Sequence, residues 1–113
     1  MSQIRQINIR DFLNQEQTEE GLVVIECYNK NIASLQIMEP ILEKLKTRIA
    51  GDFKHFRANM LSNPMLKDEF HVVQVPTFLI FSNKKFVDRI DGMLPYNDFR
   101  EILEQYIDNR ISD

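Results

Sequence analysis

Val72-Val73-Gln74-Val75-Pro76-Thr77-Phe78-Leu79-Ile80-Phe81 is the stretch whose reading decides the fold. Phe78 to Phe81 form an unbroken apolar run, closed behind by the Ser82-Asn83 turn signal. A run that short suits a strand buried on both faces. Pro76 has no amide hydrogen to give to a ladder, so it belongs at the strand's entrance rather than inside it. The missing donor leaves a gap beside the backbone of Val75, where another extended chain can dock.

Outward from that strand, the pattern alternates. Asn83-Lys84-Lys85 is a turn into a further strand, Phe86 to Ile90, and a link this short predicts an antiparallel hairpin. The last helix is predicted from about Pro95 to Arg110, with Phe99, Ile102, Leu103, Tyr106 and Ile107 at helical spacing. The acidic end of the chain, Asp108 through Asp113, reads as ordinary helix fraying. Upstream, Asn63-Pro64 opens a short helix through Phe70, because proline suits a first-turn position. Phe53 to Asn59 form a strand. Before it, Leu35, Met38, Leu42, Leu45 and Ile49 mark one face of a helix from about Ala33 to Ile49. Pro40 is expected to bend that helix and Gly51 to stop it. Leu22-Val23-Val24-Ile25 begins a β-branched strand after the break at Gly21. Ile4, Ile7 and Ile9 predict a first strand, and Asp11 to Gln17 a small helix. The order βαβαβαββα predicts a mixed sheet between helices.

Composition narrows the function classes. A chain of 113 residues suggests one domain, 1–113, with room for a real core. A net charge of −3 without a basic cluster gives nucleic acid or an anionic membrane little to hold. The apolar runs fall far below the roughly 20 residues a spanning helix needs. The start, Met1-Ser2-Gln3-Ile4-Arg5, has no apolar segment of a secretory signal. A single cysteine rules out an internal disulfide and fits a cytoplasmic protein. His55 and His71 stand far apart without companion ligands, so no metal site is expected and both read as solvated or core-edge. With Gly21, Gly51 and Gly92 isolated, there is no phosphate loop. Met60, Met65 and Met93 are gap-fillers or an adaptable binding surface.

The whole chain, from about residue 4 to 110, resembles a thioredoxin. Pro40-Ile41-Leu42 matches the family's proline-bearing second helix, Asn63-Pro64 the turn before its third helix, and Val75-Pro76-Thr77 its cis-proline loop. Asn83-Lys84-Lys85 falls at the hairpin, and Gly92 at the end of the fifth strand. The resemblance implies a five-stranded mixed sheet of order 1-3-2-4-5 flanked by four helices. Between Cys27-Tyr28 and Ile32 the rhythm is similar to that of phosducin-type thioredoxin-like domains, which also lack the dithiol.

The departure from the family concerns its chemistry. The positions of its Cys-x-x-Cys are here Ile32-Ala33-Ser34-Leu35, and the flanking tryptophan is Asn31. Dithiol exchange needs a thiolate nucleophile and a resolving thiol. Ile32 and Leu35 supply neither, so dithiol reductase chemistry is excluded and no cofactor is expected. Cys27 falls mid-strand and reads as a buried apolar residue. Thiol chemistry through that single cysteine, in the service of redox homeostasis, is the alternative function.

The resemblance places Glu26 at the family's buried aspartate and Arg57 at its neighbouring lysine. The two are expected to form a buried ion pair, since a buried carboxylate needs a partner and guanidinium offers two donors. It also implies that an extended peptide lies across Val75 and Pro76, flanked by Ile32, Ala33, Gly92 and Met93. The functional expectation is therefore a redox-inactive protein that binds a protein or peptide partner, as an adaptor or as a folding or assembly cofactor.

Overall fold

The computed structural model describes residues 4–14, 20–30, 33–49 and 53–111, the last four by backbone alone. Its elements are β1 (Arg5–Gln6), α1 (Ile9–Asn14), β2 (Leu22–Tyr28), α2 (Ala33–Arg48), β3 (Phe53–Asn59), α3 (Pro64–Asp68), β4 (Thr77–Ser82), β5 (Lys85–Asp91) and α4 (Tyr96–Ile111). The five strands form one sheet in the order β1-β3-β2-β4-β5. β1 and β2 run parallel to β3, whereas β4 runs antiparallel to both β2 and β5.

Alternation along the central strands builds two cores, one on each face. Leu22 and Val24 of β2, with Phe78 and Ile80 of β4, pack beneath Met38, Leu42 and Leu45 of α2 and Phe99, Leu103 and Ile107 of α4. Phe78 meets Phe99 edge-on, with ring centroids 5.0 Å apart. Val23, Ile25 and Cys27 point the other way, with Leu79 and Phe81, toward Ile9 and Phe12 of α1 and Leu66 of α3. The buried run of β2 and β4 therefore serves both faces at once.

The first strand and helix differ from the sequence reading. Ile9 does not extend the first strand but opens α1. Asn8 explains this: its Oδ1 accepts the Asp11 amide at 3.0 Å, an N-cap that starts the helix two residues early. Asn63 Oδ1 accepts the Ile9 amide at 2.7 Å. Of the helix expected over Asp11 to Gln17, residues 15–17 lie outside the described residues, as does the expected stop at Gly51. Pro40 sits inside α2 without ending it. The carbonyl its missing amide frees belongs to Gln36, and both residues are exposed, so water can satisfy it. At the β4–β5 turn, Asn83 and Lys84 both have positive φ, 49° and 76°, the twist that suits a two-residue hairpin.

Candidate functional site

The Val75–Pro76 peptide is cis, and β4 begins immediately after it at Thr77. The loop that enters it is held at both ends. Arg89 of β5 donates through Nη1 to the Phe70 carbonyl and through Nη2, at 3.5 Å, to the His71 carbonyl. The same guanidinium grips Asp91 Oδ1, with Nη2 at 2.9 Å and Nε at 3.3 Å. At the loop's far end the Thr77 hydroxyl has one proton to divide between the Gln74 carbonyl at 2.8 Å and Asp91 Oδ1 at 3.2 Å. Gly92, at φ +96°, donates its amide to the Pro76 carbonyl at 2.8 Å.

Between those anchors the backbone is open. No hydrogen bond engages the amide or carbonyl of Val73 or Val75 among the described residues. Val73 is 84% exposed and Val75 half-buried. A groove of about 470 Å³ runs alongside, between this loop and α3. On the other side of Pro76, Met93 is 50% exposed. Gly92 is half-buried and Ala33 exposed. Ile32, expected to complete an apolar patch with Val75 and Met93, lies outside the described residues.

Beneath α2, on the sheet face it shares with α4, lies a buried charged cluster. Glu26 is fully buried and stands opposite Arg57 in the parallel β2–β3 register. Arg57 Nε donates to Glu26 Oε1 at 3.1 Å, and Arg57 Nη2 lies 3.8 Å from Glu39 of α2. His55 joins them: its Nε2 lies 2.9 Å from the same Glu26 oxygen, and the residue is buried. Of its two readings, core-edge comes nearer than solvated, but neither included this contact. Its signal was present in the sequence, because His55 sits two residues before Arg57 and a strand's period of two puts both on one face. His71, by contrast, is exposed at a positive φ of 56°.

Cys27 is on the opposite face and fully buried. Burial is the main force pushing its thiol from 9.0 up to about 12; Arg89 opposes it, and Glu26 and Asp91 add to it. The thiolate, the form that attacks disulfides, is thus suppressed at neutral pH. Where a dithiol would stand, Ala33, Ser34 and Leu35 carry no sulfur, and Leu35 turns into the core. Among the described residues no group of three metal-ligating side chains converges. None of their helices is long and apolar enough to cross a membrane.

A mixed sheet of this strand order, with a cis-proline at the entrance to β4, defines a thioredoxin fold. Comparison with known proteins agrees. The thioredoxin family model matches residues 3–105. The thioredoxin of Listeria monocytogenes is 25% identical over 99 residues, spanning 88% of this chain and 96% of that one. That of Staphylococcus haemolyticus is 21% identical over 101 residues, spanning 89% and 97%. In three dimensions, a mutant thioredoxin from Halobacterium salinarum NRC-1 superposes with a TM-score of 0.75 at 20% identity, covering 90% of this chain and 88% of that one. The chain belongs to the thioredoxin family.

Proposed function

We propose that this chain is a redox-inactive member of its family that binds an extended segment of a partner protein across the Val75–Pro76 loop, as an adaptor or a folding or assembly cofactor. The observation that carries the reading is the unpaired backbone of Val73 and Val75, held open by anchors on both sides. Exposed main-chain donors and acceptors beside a groove are what strand addition uses: backbone pairing supplies affinity and side-chain pockets supply specificity. Thiol catalysis has little support. The one cysteine is buried, its thiol is pushed up to about 12, and no second sulfur can resolve a mixed disulfide. A reducing, cytoplasmic setting suits such a chain.

Affinity capture from native extract tests the reading. The wild-type chain is compared with Val75→Asp and with Met93→Asp, each checked for an unchanged fold by circular dichroism. Partners held by the wild type and lost by both variants support the site. Partners retained by both place binding elsewhere.

A further inference from the structure

Resting on that reading and going one step beyond it, we propose that the groove beside Val75 selects a segment that pairs a large apolar side chain with a neighbouring carboxylate. Three observations converge on this ligand class. The first is the unpaired backbone of Val73 and Val75, which calls for an extended chain rather than a helix or a small molecule. The second is the groove's wall. Met60, Val72 and Val75 line it, together with Leu61 and Val73, which are 68% and 84% exposed. Two such exposed side chains lining one groove are a docking surface for an apolar group, because burying both removes apolar area from solvent.

The third observation is charge. The remaining lining residues are Asn29, Gln74 and Lys67, so the one ionised side chain of the lining is a cation. Lys67 makes no ion pair among the described residues, on a chain whose net charge is −3. A carboxylate beside the apolar anchor gains Lys67 as a partner, whereas a basic side chain there is repelled. An exposed ion pair changes an equilibrium by a small factor, and reversing one charge replaces attraction with repulsion. Together these give a preference of about three- to tenfold.

The test is selection from a displayed random-peptide library against the immobilised full-length chain. Fluorescence anisotropy then measures one selected peptide against the wild type, Lys67→Glu and Val73→Asp. The expected peptides pair a large apolar residue with Asp or Glu. Lys67→Glu should weaken the acidic peptide about three- to tenfold at low salt, less at high salt, and favour a version carrying lysine in place of the carboxylate. Val73→Asp should weaken both versions. Bound peptides without acidic enrichment, or an affinity unmoved by Lys67→Glu, would overturn the selectivity while leaving peptide binding intact. A library that yields no binder would overturn both. Self-association of the wild-type chain in ultracentrifugation, abolished by Val73→Asp, would assign the groove to a second copy and overturn the proposal.

Discussion

Glu26 and Arg57 face each other across β2 and β3, with 3.1 Å between Oε1 and Nε, in the interior of the sheet's α2 face. The carboxylate is fully buried, whereas the guanidinium side chain keeps 15% of its surface and reaches toward Glu39. Cys27, the one thiol, turns to the opposite face of β2, and the groups within reach of the Glu26 carboxylate are Arg57 and His55, a pairing that predicts a structural role.

A double-mutant cycle checks that role. Glu26→Ala removes the carboxyl group that both Arg57 and His55 contact, leaving the Arg57 cation inside the sheet, and should cost about 3 kcal/mol. Glu26→Ala with Arg57→Ala should cost less than Glu26→Ala alone, because no charge is left stranded. Urea unfolding of all four proteins measures it. Equal or simply additive losses would show that the pair is not coupled.

Cys27 gives a prediction with a definite sign. Its thiol is neutral in the folded chain up to about pH 12, while the unfolded chain loses the proton near 9.0. A raised native value contributes stability that is complete below the unfolded value. That contribution is lost as pH rises toward the folded value, because the unfolded state then binds fewer protons. Stability should therefore fall between about pH 9 and pH 12, and Cys27→Ala should flatten part of that fall. Tyr106 adds to the same decline: burial, then its hydrogen bond to Asp88, push its phenol up to about 12. Urea midpoints measured across that range give the slope. In parallel, mass spectrometry of the native chain after iodoacetamide at neutral pH should find Cys27 unmodified until urea is added.

Arg89 should control the order of the docking loop. Arg89→Ala releases the carbonyls of Phe70 and His71 and the Asp91 side chain together. Hydrogen exchange in peptides covering residues 70–76 should speed up several-fold, while β2 stays protected. Arg89→Lys keeps the charge but loses the fork that reaches two carbonyls and a carboxylate at once, so it should restore protection only in part. Unchanged exchange in Arg89→Ala would mean that packing, not the guanidinium, holds the loop.

Much of this architecture was legible in the chain. The apolar run Phe78 to Phe81 and the alternation through Leu22 to Cys27 identify the two central strands, because burial on both faces leaves few other residue choices. Phe53 to Asn59 has the bounds expected of it. Ile9 misled because an isoleucine two residues after another fits a strand, while the cap at Asn8 outweighs that rhythm. The site was harder to read. Arg89 acts on backbone carbonyls 18 and 19 residues away, and no side-chain pattern encodes such partners. Leu61 and Val73 belong to no element's apolar stripe, so their shared groove emerges only when α3 and the loop are folded side by side. His55 was within reach, two positions from Arg57, but its partner lies on another strand.

The measurement that bears most directly on the account is dithiothreitol-coupled insulin reduction by three proteins: the wild type, Cys27→Ser, and Ile32→Cys with Leu35→Cys. No turnover above background is expected for the first two, and measurable turnover once sulfurs stand at positions 32 and 35, where the family carries its dithiol. Wild-type turnover that disappears in Cys27→Ser would contradict the account.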